Sequence, residues 1–362
     1  MSAALRPRVL LLEPMVHQDG EALLAEETDV HVLRGPSLEA IREAVKTASA
    51  VYVRTPARLL GEAIRDGREL VIISTSGRGT DAIDIGAATE CGVAVVNNPG
   101  HGPIPVSEHT LGLMLDLAKR ITRSDARIRR GDGWADRDPS LRMALEGRTL
   151  GVIGLGLIGT EVARKCIAAF HMRVLAYDPY VPAAHAAALG ATLVPDLVRL
   201  LREADIVTIH AELNRETRGM IGEAELRLMR PHVILVNAAR GAIVQEPALV
   251  RALGEGWIRG AALDVFDPEP LPPNSPLLGL ENLIITPHVA NMTPEAVQGM
   301  ALSAATQILQ ALRGERPPHL RQSGRLGAHQ AADRGPPRLI TERRRCGMAQ
   351  RDRGRRARTR RR

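Results

Sequence analysis

Leu150-Gly151-Val152-Ile153-Gly154-Leu155-Gly156-Leu157-Ile158-Gly159 is the stretch that decides the fold. Leu150–Ile153 reads as a buried strand that runs straight into a glycine turn. Glu161–Phe170 reads as the helix that follows, and Asp178 ends the next strand, 19 residues beyond Gly159. Gly154 permits the tight turn, Gly156 lets backbone approach a pyrophosphate, and Gly159 lets helix pack on strand. The helix N-terminus then faces the phosphates. A glycine turn alone carries little weight and can serve packing only. Strand, turn, helix and acid at these spacings together point to a dinucleotide site. Asp178 is placed to accept hydrogen bonds from the adenosine ribose and to repel a 2′-phosphate, so NAD is expected rather than NADP.

Outward from the turn, apolar runs alternate with amphipathic stretches. Strands are expected at Arg8–Leu12, Ala50–Arg54 and Leu70–Ser74 on the N-terminal side. A second series is expected at Leu150–Ile153, Val174–Tyr177, Ile206–His210, Val233–Asn237, Ala261–Val265 and Leu283–Thr286. This is the βαβ rhythm of parallel sheets covered by helices on both faces. Asn97-Asn98-Pro99-Gly100-His101-Gly102-Pro103 is a turn-rich crossing between the two series. One helix is expected from about Pro105 to Arg129 and another from Pro294 to Arg313, the latter returning to the first domain. The fold class is therefore α/β, with two doubly wound parallel-sheet domains. A Rossmann-type NAD domain is inserted in a flavodoxin-like substrate domain, and the cleft between them is the expected site. The expected division is substrate domain 1–100, NAD-binding domain 101–287, substrate-domain return 288–320 and an Arg-rich, disordered tail 321–362.

The chain's net charge of +7 is not a property of the whole. Residues 321–362 hold fifteen Arg and three acids, a net +12, which leaves −5 for everything else. A nucleic-acid argument applies to the tail alone, and the tail lacks Phe, Trp and Tyr for base stacking. It reads as a segment unable to bury enough apolar surface to offset its ordering entropy, or as an out-of-frame reading, and not as a nucleic-acid arm. Cys91, Cys166 and Cys346 are far apart and without metal-ligand spacing, so reduced thiols, no metal and a cytoplasmic location are expected. The N-terminus lacks a signal-peptide pattern, and no run reaches the length of a membrane span.

Three residues beyond the turn carry complementary chemistry. Arg240, in Asn237-Ala238-Ala239-Arg240-Gly241, follows a strand, and a guanidinium there can grip a carboxylate through two parallel hydrogen bonds. Glu269, in Asp264-Val265-Phe266-Asp267-Pro268-Glu269-Pro270, follows another strand. His288, in Thr286-Pro287-His288, follows the next. A carboxylate beside an imidazole fixes the ring and favours the imidazolium, which can give a proton or take one back. Alone, the Arg reads as a surface ion pair and the His as structural. At successive strand ends the three make a set.

With these stretches the chain resembles the D-isomer-specific 2-hydroxyacid dehydrogenases over about residues 8–318. Gly77-Arg78-Gly79-Thr80-Asp81-Ala82-Ile83-Asp84, Asn98-Pro99-Gly100 and Ser107-Glu108-His109-Thr110 also carry the likeness. The resemblance implies that Arg240 binds the substrate carboxylate and polarises its keto oxygen, while Glu269 supports His288 as acid/base. It implies cofactor contacts at Gly154, Gly156, Leu157, Ile158, Gly159, Asp178, His210, Thr217, Ala238, Ala239 and Asp264. Substrate contacts are implied at Arg54 and along Ser76, Gly77, Arg78 and Gly79, whose backbone N–H groups would meet the carboxylate. The implied activity is NAD-dependent hydride transfer at C2 of a short D-2-hydroxy or 2-keto acid, of the 3-phosphoglycerate, hydroxypyruvate or glyoxylate class. A homodimer is implied as well. Leu157 stands where the family has a polar residue, Ala211-Glu212 where it has Val-Pro or Cys-Pro, and Ala290-Asn291 where it has Gly-Gly. The competing reading is an NADH-sensing binding protein on the same fold, resembling the C-terminal-binding corepressors, which can keep all three catalytic residues.

Overall fold

Strands buried on both faces read as unbroken apolar runs, and that is how most strands of this protein are built. The structure is a computed structural model describing residues 6–322. These divide into two compact units, one made of residues 6–98 and 300–322, the other of Pro99–Gly299. The expected disorder of the Arg-rich tail falls almost wholly outside the described residues.

The first unit holds β1 (Arg8–Leu11), β2 (Asp29–Val32), β3 (Ala50–Val53), β4 (Ile72–Thr75) and β5 (Ala94–Val96). They form one parallel sheet in the order β2-β1-β3-β4-β5. That is the flavodoxin-like order. One face is covered by the last turns of the helix Pro294–Leu312, whose Ala301, Ala304, Ala305, Ile308 and Leu309 pack on Val9, Leu11, Tyr52 and Ile72. Leu320 then bridges to Val96, and the Gln322 side chain accepts from the Val95 N–H at 2.9 Å.

The second unit holds β6 (Thr149–Ile153), β7 (Arg173–Tyr177), β8 (Thr192–Leu193), β9 (Ile206–Ile209), β10 (Ile234–Asn237), β11 (Gly260–Leu263) and β12 (Leu283–Ile285). All pair in parallel in the order β12-β11-β10-β9-β6-β7-β8. The order reverses between β6 and β9, and ligands of such sheets bind at the carboxyl ends beside that reversal. The core on both faces is aliphatic. Cys166 lies fully inside it, where burial pushes its thiol up to about 12 and leaves it without nucleophilic character. Trp257 lies under the Arg227 guanidinium, 3.5 Å from the ring centre, while Trp134 is 75% exposed.

Five elements depart from the sequence reading. β2, β5 and β8 were not expected: β2 is a half-exposed edge strand of sequence Asp-Val-His-Val, and β5 and β8 are three and two residues long. The helix expected over Pro105–Arg129 is two helices, Pro103–Lys119 and Ile121–Arg129. Arg120 takes a left-handed conformation (φ 57°), and the Asp116 carboxylate accepts from the Thr122 N–H at 2.8 Å, so one side chain of the first helix starts the second. The helix after the glycine turn begins at Leu157, at the turn itself. Among the described residues no helix is long and apolar enough to cross a membrane.

Candidate active site

The glycine turn follows β6 directly, and its backbone leaves no room for side chains. Gly154 has φ 89°, and a Cβ on it would lie 2.6 Å from the Ala211 nitrogen. A Cβ on Gly159 would lie 2.0 Å from the Gly154 carbonyl oxygen. Gly156 precedes the first helical residue, and the helix Leu157–Phe170 has no side-chain cap, so its first N–H groups face outward. Leu157 is exposed and Ile158 half-buried beside it. Asp178, at the end of β7, accepts from the Leu155 N–H at 2.8 Å and, through its other oxygen, from the Tyr180 N–H at 2.9 Å. The carboxylate is thereby pinned against the turn. On the other side of the reversal, His210 ends β9, and burial drives its imidazole down to about 3, so the ring is neutral. His210 Nε2 lies 2.9 Å from Thr208 Oγ1, and its Nδ1 is buried without a partner. Thr217 donates to the Glu212 carbonyl at 2.7 Å and fixes the loop beyond. A narrow backbone cradle with one orphaned ring nitrogen fits a dinucleotide.

Arg240, Glu269 and His288 follow β10, β11 and β12, three neighbouring strands of the same sheet. His288 Nδ1 lies 2.8 Å from Glu269 Oε2, and Glu269 Oε1 accepts from the Phe266 N–H at 2.9 Å. With Nδ1 held by the carboxylate, Nε2 is the nitrogen left to exchange a proton with a substrate. Burial works against ionisation of Glu269. The His288 hydrogen bond and charge, the Phe266 N–H and the Arg240 charge outweigh it and hold the carboxyl below its usual range. The Arg240 guanidinium thus acts on the same carboxylate that steadies the imidazole. It donates to the Ala239 carbonyl at 2.7 Å, and Ala238 and Ala239 are half-buried beside it.

Two residues without an expected structural role shape these loops. Asn237 is fully buried; its amide donates to the Arg240 carbonyl at 2.9 Å and its oxygen accepts from the Ala239 N–H at 3.0 Å. It ties the Arg240 turn to the end of β10. Gly241 lets that turn meet the next loop: a Cβ there would lie 2.1 Å from the Phe266 carbonyl carbon.

Asp264, expected on the cofactor, has 0% exposure, and its carboxylate is taken up by the His288 loop. It accepts from Thr286 Oγ1 at 2.6 Å, from the Val289 N–H at 2.9 Å and from the Ala290 N–H at 2.9 Å. His109 Nε2 lies 3.1 Å from Thr286 Oγ1 and 3.6 Å from Asp264. Those bonds bracket His288, whose backbone is left-handed (φ 52°) with its N–H on the Thr286 carbonyl at 3.0 Å. Such a conformation costs a non-glycine residue of order 1 kcal/mol and persists only where its surroundings impose it.

In the first unit, Ser76–Gly79 follows β4. Its carbonyls are engaged: Gly77 O accepts from Thr75 Oγ1 (2.6 Å) and the Asn98 N–H (2.8 Å), and Arg78 O from the Asn97 amide (2.7 Å). Gln307 donates in turn to the Asn98 side chain at 2.9 Å. The Ser76 N–H is used by Val53 O at 3.0 Å, whereas those of Gly77, Arg78 and Gly79 make no hydrogen bond within the described residues. Three unused amide donors in one loop suit an anion. Arg54 donates to the Pro14 carbonyl at 3.2 Å and is half-buried. The sequence reading marked this loop and Arg54 but missed Asn97 and Gln307, which orient the loop from far along the chain.

Comparison with known proteins agrees with this geometry. Residues 111–290 match the family model described as D-isomer specific 2-hydroxyacid dehydrogenase, NAD binding domain. The chain is 38% identical over 321 residues to the glyoxylate reductase of Thermofilum pendens, the match spanning 87% of this chain and 94% of that protein. This chain belongs to the D-isomer-specific 2-hydroxyacid dehydrogenase family. It is also 42% identical over 308 residues to the D-3-phosphoglycerate dehydrogenase of Methanocaldococcus jannaschii, covering 85% of this chain but 58% of that relative's length. Among solved structures, a glyoxylate reductase from Paecilomyes thermophila superposes with a TM-score of 0.79 at 28% identity, over 87% of this chain and 98% of that one. The second unit is the family's NAD-binding domain, and its Rossmann strand order is the one the glycine turn implied.

Proposed function

We propose that the protein is an NAD-dependent oxidoreductase that interconverts a short 2-keto acid and its D-2-hydroxy acid, of the 3-phosphoglycerate, hydroxypyruvate or glyoxylate class. The observation that carries the reading is the 2.8 Å pair of Glu269 and His288 at the end of β12, with the Arg240 charge acting on the same carboxylate. Bound NADH supplies the hydride that reaches the keto carbon. Arg240 holds the substrate carboxylate and polarises the keto oxygen. As negative charge grows on that oxygen, His288 donates its Nε2 proton to it, and Glu269 stabilises the imidazolium that donates. Oxidation runs the same transfers in reverse. The cradle Gly154–Gly159, with Asp178, His210, Thr217, Ala238 and Ala239, binds the nucleotide. Asp264 serves by holding the His288 loop. Arg54 and the amides of Gly77, Arg78 and Gly79, in the loop that Ser76 opens, bind the anionic substrate. A cytoplasmic homodimer completes the reading, by resemblance to the family.

Steady-state assays with NADH against hydroxypyruvate, glyoxylate and other short 2-keto acids, and with NAD against 3-phosphoglycerate, test this. Turnover on at least one is expected. NADH binding with no turnover on the whole panel would instead establish the nucleotide-sensing alternative.

The pH profile gives a second test. Reduction consumes a proton, so its rate falls as pH rises; oxidation shows the opposite slope. Glu269→Gln removes the charge that favours the imidazolium. Without that charge beside the proton carrier, kcat at neutral pH drops on the order of tenfold. A parental kcat in this variant would detach Glu269 from the proton carrier. Because Glu269 is held below its usual range, its contribution to folding is complete above the ordinary carboxylate range. It is lost as pH falls through the lowered value.

A further inference from the structure

Asp178 is the acid expected to reject a ribose phosphate, but it does not stand alone. β6 lies between β7 and β9 in the sheet. The loop after β7 carries Tyr180 and the loop after β9 carries Glu216. Tyr180 is 72% exposed, yet its hydroxyl donates to the Glu216 carboxylate. Two loops that follow the strands on either side of β6 are thus joined by a side-chain bond. Glu216 is not a loose surface acid. Asn214 Oδ1 accepts from the Glu216 N–H at 2.8 Å and the Thr217 N–H at 3.0 Å, and Thr217 Oγ1 closes the loop on Glu212. Asp178 is equally fixed, with both oxygens on backbone N–H groups. The Tyr180 hydroxyl feels both acids: its ionisation is pushed upward by the Glu216 hydrogen bond first, and also by the charges of Glu216 and Asp178. Two carboxylates therefore act on one phenol, and one of them, Asp178, is bonded to the glycine turn.

We propose that Glu216, latched to Tyr180 across the end of β6, is a second specificity-determining residue that rejects a nucleotide carrying a phosphate on its adenosine ribose. The inference rests on the nucleotide reading of the cradle and adds a residue to it. A carboxylate a few ångströms from a phosphate dianion is repelled even in a high-dielectric setting, with an effect on the order of tenfold in affinity. Neutralising Asp178 alone leaves the Glu216 charge in place, so full tolerance of the phosphorylated nucleotide needs both changes.

The test is equilibrium binding of NADH and NADPH, read by nicotinamide fluorescence, for the full chain, Glu216→Gln and Tyr180→Phe. Glu216→Gln keeps the acceptor for Tyr180 and removes only charge. It is expected to tighten NADPH about tenfold while NADH changes less than about threefold, and the gain shrinks at high salt. Tyr180→Phe keeps the charge and is expected to leave the NADPH-to-NADH ratio near that of the parent. An unchanged ratio in Glu216→Gln, or an equal shift in Tyr180→Phe, overturns the inference while NADH binding stands. A parent protein that binds neither nucleotide overturns the cofactor reading itself and this inference with it.

Discussion

Replacing His288 with glutamine is expected to lower kcat for keto-acid reduction about 10³-fold, within the range by which a positioned general acid accelerates such reactions. Glutamine can keep a hydrogen bond to Glu269 but cannot shuttle a proton. The glycine cradle and His210 lie on other loops, so NADH affinity should stay within about twofold of the parent. Rate measurements at saturating NADH, with NADH titrations alongside, check both halves. A variant with near-parental kcat would remove His288 from the chemistry. Loss of NADH binding would mean that it acts on the nucleotide instead.

Gly241→Ala is expected to reduce kcat/KM about 10²-fold, comparable to the effect of displacing a catalytic group by about 1 Å. The added methyl would stand 2.1 Å from the Phe266 carbonyl carbon, 2.3 Å from its oxygen and 2.5 Å from its Cα. All three are backbone atoms, so no flexible side chain can yield. The turn carrying Arg240 and the loop carrying Glu269 must separate. Such overpacking also destabilises, by about 1–3 kcal/mol, visible as a lowered melting temperature. Parental kinetics in this variant would show that the spacing of the two loops is not what aligns the guanidinium with the imidazole.

The strands legible in sequence were those buried on both faces. Val9–Leu12 and Ile234–Val236 are unbroken apolar runs because helices cover both sides of the sheet. β2 escaped because an edge strand alternates exposed and half-buried residues, and Asp29 and His31 read as loop. The break at Arg120 was hidden because apolar positions continue across it. Arg240, Glu269 and His288 stood out because their chemistry is complementary and each follows a strand. Asn237, Asp264, Asn97 and Gln307 had no such signal. Each acts through hydrogen bonds to backbone groups, and which groups those are is settled only by folding. Asp264 shows this most clearly. The family resemblance implied a cofactor contact for it, and its carboxylate is engaged by Thr286, Val289 and Ala290.

The near absence of aromatic side chains has a spectroscopic consequence. Both tryptophans, Trp134 and Trp257, belong to the second unit, and Tyr52 is the single aromatic residue of the first. Indole emission during unfolding therefore reports the nucleotide-binding unit alone, with Trp257 quenched or released as Arg227 leaves its ring. Melting of the first unit is silent at those wavelengths and is followed through the ultraviolet absorbance of Tyr52 as its buried phenol meets water.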